Sequence, residues 1–471
     1  MLPESITGAA HRFGDRPALI DSAGQPITYT ELDRWSDELA VSLARRYDVH
    51  EGTVAALTLP SDPRYLAAYL ALAKLGGVSA GINPRMARDE KQRVLDQLAP
   101  DLVIGDDFPF ERAANEAPPP LPPDERRTTT IVFTSGTTGE PKGAVFTNRQ
   151  LAAITTIDIG AVDTWGTGTT MLASTQFCHV GFMTKLPWYL RLGCTLVLQD
   201  RWRASNTLGL VAEHRMPSIG GVAAQIALLL RVPDFDDYDL SAVKTIVIGG
   251  GPSPPEIVRE ARQRFGADYS IRYSSTESGG VGTATAFDAP DEEALYTVGR
   301  PRPGVEIRID PDSSELLLRS PAAMSGYWRD PERSAAALVE GWLRTGDLAE
   351  MDDTGCLRIV GRTTDMYIRG GYNVHPQEVE AVLVEHPSVA AVAIVPKPHE
   401  VFGEIGVAVV VPSTGSPAPT LDDLRAFGSA RLASYKLPES VVVVDSLPLT
   451  TMDKLDRRGL RESIAVGDKP Y

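Results

Sequence analysis

Apolar, strand-like segments alternate with helix-like segments through the first hundred residues of this chain. Val54–Leu59, Val78–Ile82 and Asp101–Ile104 have the composition of buried strands, and helices are predicted between them at Tyr65–Lys74 and Ala87–Leu98. Strands separated by helices pair in parallel through right-handed crossovers. The alternation therefore predicts an α/β fold built on a parallel sheet.

The rest of the chain divides into further units that differ in their predicted pattern of helices and strands. Apolar residues at helical spacing predict an earlier helix over Thr28–Arg46, with Thr30 as its N-terminal cap. A second α/β set is predicted over Thr169–Asp268, and short strands over Tyr296–Arg319. A compact α+β module follows Arg362. Because 471 residues exceed one compact core, we predict domains at residues 1–363 and 364–471.

Charge and cysteine content exclude several classes of protein. The net charge of -16 argues against non-specific nucleic-acid binding and against a polybasic membrane anchor. Cys178, Cys194 and Cys356 form no CxxC or zinc-type spacing, which fits a reducing cytoplasm. We recognise no signal peptide and no apolar segment long enough to span a membrane.

The most informative segment is a loop rich in glycine and threonine, TSGTTGEPKG, which follows a predicted strand at Thr128–Phe133. Glycines allow close approach of the backbone, hydroxyls donate hydrogen bonds, and one lysine supplies a cation, which together suit a polyphosphate. The spacing is not that of a Walker A loop. The alternative is a flexible surface loop. The candidate phosphate-binding residues are Thr134, Ser135, Gly136, Thr137, Thr138, Gly139 and Lys142.

This loop resembles the signature loop of the adenylate-forming enzymes, which include acyl-CoA synthetases, adenylation domains of peptide synthetases and firefly-type luciferases. Further motifs resemble the family's in the same order: Tyr273–Glu277 (YSSTE), Gly326–Trp328 (GYW), Trp342–Asp347 (WLRTGD), Gly370–Glu380 (GGYNVHPQEVE) and Pro448–Lys454 (PLTTMDK). The resemblance implies a large N-terminal domain of two α/β subdomains plus a small β-barrel. A small, mobile α+β C-terminal domain is implied to carry the catalytic lysine.

The resemblance also implies a reaction in two halves, with ATP, Mg²⁺ and CoA as cofactors. A carboxylate attacks the α-phosphate of ATP to give an acyl-adenylate and pyrophosphate, and a thiol then displaces AMP. Lys454 is implied to stabilise the developing charge, Thr276 to bind the α-phosphate, and Glu277 to hold Mg²⁺. The alternatives for Lys454 and Glu277 are solvated surface residues.

Several residues are implied to hold the nucleotide. Tyr273 offers a face to adenine, and Gly249, Gly250 and Gly251 line the adenine slot, although Tyr273 also suits a packed core and the glycines an ordinary turn. Asp347 is implied to accept hydrogen bonds from the ribose, supported by Arg362. A turn aspartate and a surface arginine are the alternatives.

The resemblance places His179, Ser274 and Ala223 at the acyl pocket, and Gly370 and Gly371 at the CoA tunnel. A core histidine and a plain glycine turn are the competing interpretations. Ser274, Thr364, Asp453 and Ala223 depart from the residues common in the family, which puts the second half-reaction in question.

Amino-acid-activating members carry an acidic residue where this chain has Cys178, so an α-amino acid substrate is disfavoured. We therefore expect a cytoplasmic acyl- or aryl-CoA ligase, either a monomer or a homodimer, whose substrate is a small-molecule carboxylic acid of any chain length. One alternative is an adenylating enzyme that passes the acyl group to a carrier protein or an amine. Another is a catalytically silent nucleotide-binding protein.

Overall fold

The structure is a computed structural model that describes residues 2–134, 141–160, 164–251, 253–363, 365–450 and 455–466. Its helices, in chain order, are α1 (Leu2–Phe13), α2 (Tyr29–Tyr47), α3 (Pro63–Lys74), α4 (Arg88–Leu98), α5 (Asn148–Ile159), α6 (Val180–Met183), α7 (Leu186–Leu192), α8 (Ala204–Glu213), α9 (Ala223–Leu230), α10 (Pro255–Phe265), α11 (Asp291–Tyr296), α12 (Pro331–Ala337), α13 (Pro376–Leu383), α14 (Leu421–Ser429) and α15 (Arg457–Val466). Short 3₁₀ turns occur at Phe235–Asp237 and Ser434–Lys436.

The strands of the N-terminal part, in chain order, are β1 (Pro17–Ile20), β2 (Pro26–Thr28), β3 (Val54–Leu57), β4 (Val78–Gly81), β5 (Leu102–Ile104), β6 (Thr128–Thr134), β7 (Lys142–Thr147), β8 (Thr169–Leu172), β9 (Cys194–Val197), β10 (Ser218–Gly221), β11 (Thr245–Gly249), β12 (Asp268–Tyr273), β13 (Thr283–Ala284), β14 (Arg300–Pro301), β15 (Glu306–Ile309), β16 (Glu315–Arg319), β17 (Gly326–Tyr327), β18 (Leu338–Val339), β19 (Trp342–Met351) and β20 (Leu357–Arg362). The remaining strands are β21 (Tyr367–Arg369), β22 (Tyr372–Val374), β23 (Val389–His399), β24 (Gly403–Pro412) and β25 (Ser440–Val443).

A six-stranded sheet in the order β17-β7-β6-β4-β3-β5 organises the first half of the chain. Strands β5, β3, β4 and β6 are parallel neighbours, which confirms the predicted crossover topology, and β7 and β17 add antiparallel strands at one edge. Every residue of helix α3 from Tyr65 to Lys74 is buried. Lys74 is tolerated inside because its ammonium pairs with Asp33 and Asp37, each at 2.6 Å.

The second α/β set also forms as predicted. Strands β10, β11 and β12 are parallel, and β13 and β14 extend this sheet antiparallel, while β1, β2, β8 and β9 form a separate four-stranded sheet. One hydrophobic core links the five-stranded sheet to helices α8, α9 and α10 through residues such as Ile246, Ile248 and Val258. This arrangement brings three parallel strand ends to one edge.

The short-strand region is an antiparallel sheet rather than a closed barrel. Strands β15, β16, β19 and β18 are consecutive neighbours, and β20 pairs with another stretch of β19. No pairing among the described strands closes this sheet on itself, which differs in form from the expected small β-barrel. Strand β19 is ten residues long and pairs with β18 and β20 along separate stretches.

The last hundred residues form the predicted α+β module. Strands β22, β21, β24 and β23 are consecutive neighbours, and β25 adds a parallel pair to β24. Separate hydrophobic cores lie on the two faces, one containing Val379 and Leu424 and the other Leu460 and Ile464. The module therefore has cores of its own, while the predicted boundary at 363/364 stays a prediction.

The N-terminal cap of α2 differs from expectation. Thr28, rather than Thr30, accepts a hydrogen bond from the Glu31 backbone, and the Glu31 carboxylate accepts one from the Thr28 backbone. Glu31 lies three residues after Thr28, which is the spacing that this reciprocal arrangement requires. Among the described helices, none has the length and apolar character that crossing a bilayer requires.

Candidate functional site

The predicted site residues converge on the carboxyl ends of the parallel strands β10, β11 and β12. Ala223 follows β10 and is buried, Gly249–Gly251 end and follow β11, and Tyr273 ends β12. Gly249 pairs directly with Arg272 in the register of β11 and β12. In open α/β sheets, ligands bind beyond the carboxyl ends of the strands. The edge is therefore suited to a nucleotide.

Asp347 is buried at 4% exposure and accepts two short hydrogen bonds. The Tyr273 hydroxyl donates to Oδ2 at 2.6 Å, and Arg362 Nε donates to Oδ1 at 2.6 Å. Burial, followed by the Asp347 carboxylate, raises the pKa of Tyr273 well above its ordinary value, so the phenol keeps its proton. Burial lowers the pKa of Arg362, but Asp347, Asp365 and Tyr273 together raise it, and the net shift is upward. The Asp347 carboxylate is thus held by a phenol and a guanidinium beside the strand ends.

A distortion of β19 positions Asp347. Glu315 accepts a hydrogen bond from the Gly346 backbone at 3.0 Å and pairs with Arg344. The pairing of β16 with β19 shifts register at this point, and Gly346 has φ +70. Glycine reaches this conformation without a side-chain penalty. The sequence analysis missed Glu315, and no motif singles it out.

Glu277 and Lys142 meet at a single aromatic residue, Tyr327. The Tyr327 hydroxyl donates to Glu277 Oε1 at 2.9 Å, and Lys142 Nζ lies 4.8 Å from the centroid of the Tyr327 ring. Strand β17 places the ring there by pairing with β7, whose first residue is Lys142. Burial, followed by Glu277, raises the pKa of Tyr327, so it remains a donor. The GYW motif contained Tyr327, but no role was assigned to it.

Thr134 ends β6 directly opposite Lys142 on β7. Its buried hydroxyl oxygen has no hydrogen-bond partner among the described residues. A buried hydroxyl without a partner is costly, and a phosphate oxygen would satisfy it. Among the predicted phosphate-loop residues, Ser135, Gly136, Thr137, Thr138 and Gly139 lie outside the described residues, as do Thr364 and Asp453.

Lys454 also lies outside the described residues, and its flanking segments are well anchored. Leu449 and Leu455 form an isolated antiparallel bridge. Arg457 is held by Glu380 at 2.6 Å and by Asp365 at 3.5 Å. Arg457 thus ties the segment after Lys454 to α13 and to Asp365, next to the predicted domain boundary.

The turn that carries Thr276 and Glu277 contacts the segment after His179. Gly279 donates its backbone N–H to the Thr276 carbonyl at 3.0 Å, and Thr184 donates to the Gly279 carbonyl at 3.2 Å. His179 precedes α6, and Ser274 lies between Tyr273 and the turn. His179, Ser274, Thr276 and Ala223 therefore flank the same edge, although their roles remain predictions.

Gly370 and Gly371 form the tip of the β21–β22 hairpin, with φ +56 and +89. A side chain on Gly371 would meet no atom within 4 Å. Nothing among the described residues brings this tip against Tyr273, Glu277 or Asp347. Its role in CoA binding remains a prediction.

The Glu277 carboxylate suits a Mg²⁺ ion that is bound together with substrate phosphates. No group of three or more His, Cys, Asp or Glu side chains able to hold a metal occurs in the described part of the chain. Mg²⁺ is commonly held by one or two carboxylates plus substrate phosphates. Glu277, fixed by Tyr327 beside Lys142, provides such a carboxylate.

Comparison with known families gives matches along most of the chain. The model of the AMP-binding enzymes matches residues 6–118 and 105–328. The model of the AMP-binding enzyme C-terminal domain matches residues 378–454. These matches include the strand ends, the Glu277 turn and the Lys454 segment.

Individual proteins are similar over almost the whole chain. The indoleacetate–CoA ligase of Aromatoleum aromaticum is 31% identical over 93% of each chain. The o-succinylbenzoate CoA synthetase of Bacillus subtilis, solved with its acyl-adenylate intermediate, has a TM-score of 0.84 at 27% identity and 98% coverage of both chains. A mutant amide bond synthetase of Marinactinospora thermotolerans has a TM-score of 0.86 at 27% identity, covering 98% of this chain and 99% of that one.

Proposed function

Since the chain belongs to the AMP-binding enzyme family, we propose that it is an ATP-dependent, AMP-forming carboxylate–CoA ligase. The observation that carries the proposal is the convergence of two carboxylates on one edge. Asp347 is held by Tyr273 and Arg362, and Glu277 is held by Tyr327 beside Lys142. One carboxylate suits a ribose, and the other suits the phosphate end.

In the first half-reaction, a carboxylate oxygen of the substrate attacks the α-phosphorus of ATP. The new C–O–P bond forms while the bond to the β-phosphate oxygen breaks, which releases pyrophosphate. Both reactants are anions, so cationic and hydrogen-bonding groups must offset their repulsion. Lys142, Thr134, Thr276 and Lys454 supply these groups. Mg²⁺ held by Glu277 would neutralise phosphate charge when bound.

In the second half-reaction, the CoA sulfur attacks the acyl carbon of the adenylate. A thioester bond forms, the acyl–phosphate bond breaks, and AMP leaves with the electron pair while the thiol proton passes to solvent. We propose that residues 364–471 move as a domain between the halves, with Lys454 serving the first and the Gly370–Gly371 tip the second. The three cysteines are buried and free, which supports a reducing, cytoplasmic setting.

The experiment is a pyrophosphate-release screen of the purified chain over a panel of carboxylic acids, with and without CoA. We expect acid-dependent release of pyrophosphate and formation of AMP and the acyl-CoA when CoA is present. Absence of acid-dependent pyrophosphate release across the panel, with ATP bound, would instead support a silent nucleotide-binding protein.

A second candidate is an adenylating ligase whose acceptor is an amine. The observation that favours it is the similarity to an amide bond synthetase at 27% identity and a TM-score of 0.86. In the same screen, this candidate predicts turnover that ignores CoA and rises when amines are added, with an amide as product.

A further inference from the structure

A buried cluster of charged side chains lies between α5 and α7 and is not used by the mechanism above. Lys185 Nζ lies 2.7 Å from Asp158 Oδ2, and Arg302 pairs with the other oxygen of Asp158 and donates to the Ile157 carbonyl at 2.9 Å. The side chains of Lys185, Asp158 and Arg302 are only 13%, 11% and 18% exposed. Two cations therefore share one carboxylate in the interior.

Arg272 adds a third cation to this cluster. It precedes Tyr273 on β12, and its guanidinium lies 5.3 Å from the Phe287 ring centroid. Among the described residues, no carboxylate forms an ion pair with it, although Arg302, Asp158 and Lys185 interact with it electrostatically. Burial, followed by Arg302, lowers its pKa to about 10. The cluster thus holds three cations and one anion.

The cluster borders the turn that carries Thr276 and Glu277. A side chain on Gly280 would begin 3.4 Å from Lys185 Cε and 4.0 Å from its Nζ, and 3.5 Å from Val180, which follows His179. Gly280 itself donates its backbone N–H to the Ser275 carbonyl at 3.1 Å. Because Gly280 has no side chain, no side-chain atom of this residue separates the Lys185 ammonium from the turn. The same turn flanks the acyl pocket predicted from His179 and Ser274.

Alternate residues of a strand face opposite sides, so Arg272 and Tyr273 point away from each other. A Cβ on Gly249 would lie 3.6 Å from the Arg272 Cβ, which shows that both are on the same face of the sheet. On this face, the next strand carries Gly220, where a Cβ would lie 3.3 Å from Ser174 of the loop after β8. Arg272 therefore lies on the face of this sheet that carries Gly249 and Gly220 and that the loop after β8 covers.

Buried cations without enough anions are costly, and an anionic ligand would offset that cost. We propose that Arg272, together with Lys185 and Arg302, binds a second carboxylate at the far end of the acid substrate. The preferred substrates are then dicarboxylic acids that are adenylated at one end only. This inference rests on the proposed ligase function and specifies its substrate class. It also gives a chain of net charge -16 a local cationic site.

A purely structural role accounts for part of the cluster. Asp158 on α5 joins Lys185, which precedes α7, to Arg302, which follows β14, and this link stabilises the packing by itself. Arg272 is not needed for that link. Arg272 is therefore the residue whose replacement separates ligand binding from packing.

The experiment uses linear and aromatic dicarboxylic acids of graded length, each paired with its monomethyl ester, which keeps one carboxylate and blocks the other. For at least one pair we expect kcat/KM for pyrophosphate release to favour the diacid by about tenfold or more, because charge-assisted hydrogen bonds are strong. Arg272→Leu should abolish this preference, because kcat/KM falls for the diacid by about tenfold more than for its ester. Arg272→Lys should restore part of it. Arg231→Leu, an exposed arginine of the same subdomain, is the matched control.

Binding of each diacid and ester is also measured by calorimetry with a non-hydrolysable ATP analogue, so the inference is tested without turnover. Esters that bind and react as well as every diacid would overturn the inference and leave the ligase function intact. A diacid preference that survives Arg272→Leu would overturn the role of Arg272. If the Arg272 variants do not fold, the inference is tested by the wild-type protein alone, through its ratio of kcat/KM for the diacid to kcat/KM for the ester. Absence of adenylation with every acid would contradict the proposed function. The ratio of the calorimetric affinities for diacid and ester would then still test whether the site prefers dicarboxylic acids.

Discussion

The hydroxyl of Tyr327 donates a 2.9 Å hydrogen bond to Glu277, and the face of the same ring contacts the ammonium of Lys142. Fifty residues separate the two hydrogen-bonded side chains in the chain. The edge strand β17 joins them by pairing with β7. One aromatic residue therefore holds the proposed metal-binding carboxylate and the cation of the phosphate loop in a fixed relation.

Tyr327→Phe keeps the ring under Lys142 and removes the hydrogen bond to Glu277. A hydrogen bond to a charged group contributes about 1.5–3 kcal/mol, so kcat/KM for pyrophosphate release should fall about 10- to 100-fold. The Mg²⁺ concentration that gives half-maximal rate should rise, because Glu277 loses its orientation. Tyr296→Phe is the control, since that hydroxyl accepts from Arg259 at the surface. An unchanged Mg²⁺ dependence in Tyr327→Phe would contradict a positioning role.

Asp347→Asn tests recognition of the ribose. The amide keeps the shape of the carboxylate but loses its charge, so the KM for ATP should rise about tenfold. The decisive measurement is the preference for ATP over 2′-deoxy-ATP and 3′-deoxy-ATP, which should shrink in the variant. Asp352→Asn, in the exposed turn between β19 and β20, should keep the wild-type preference. Full discrimination by Asp347→Asn would assign the ribose contact elsewhere.

Lys454→Ala tests the cation proposed to act in the first half-reaction. Loss of the ammonium should lower the rate of acid-dependent ATP–pyrophosphate exchange by about 100-fold or more. ATP affinity, measured by equilibrium binding, should stay close to wild type. Lys397→Ala, at an exposed position of β23 in the same module, is the control. Normal exchange in Lys454→Ala would rule out the assigned role.

Gly371→Leu tests the hairpin tip in the second half-reaction. Gly371 has φ +89 and is exposed, so the variant adds bulk to the tip. Adenylate formation should continue while CoA-dependent release of AMP slows. Gly415→Leu is the control, because Gly415 lies in another loop of the same module with a comparable φ of +80. Its effect measures the cost of placing a side chain on a backbone of positive φ, away from the hairpin tip. Equal effects of the two variants on the CoA step would remove the tip from that step.

Asp158→Asn tests the buried charge cluster by its pH dependence. Burial raises the pKa of Asp158, but the cations Lys185 and Arg302 together outweigh burial. The pKa of Asp158 in the folded protein therefore lies below 3.8. A carboxyl whose pKa is lowered on folding stabilises the protein above its unfolded pKa, and this contribution is lost as the pH falls through the folded pKa. The variant should cost about 3 kcal/mol near neutral pH.

The measurement is urea unfolding of wild type and Asp158→Asn at several pH values. The difference in free energy of unfolding should be constant above about pH 5 and should shrink below about pH 4. The exposed Asp200→Asn serves as the control. A difference that stays the same down to the lowest pH would mean that Asp158 does not act through its charge.

Local patterns were sufficient for the elements and for much of the site. The alternation of apolar strands and helices predicted the parallel neighbours β3, β4 and β5 and the helix at Tyr65–Lys74, which forms as α3. The WLRTGD motif led to Asp347, which the structure places in contact with Tyr273 and Arg362. The cap of α2 was misplaced at Thr30 because the reciprocal bond with Glu31 was overlooked.

The amino-acid sequence by itself determined which segments become strands, helices and glycine-rich turns, because these depend on the spacing of neighbouring residues. Only the tertiary structure decided that Tyr327 holds Glu277 and that Lys185 and Arg302 share the carboxylate of Asp158. Such contacts join residues far apart in the chain, and their geometry follows from strand register and sheet packing. Burial then gives these charges their effect, and burial is a property of the packed molecule rather than of any short segment.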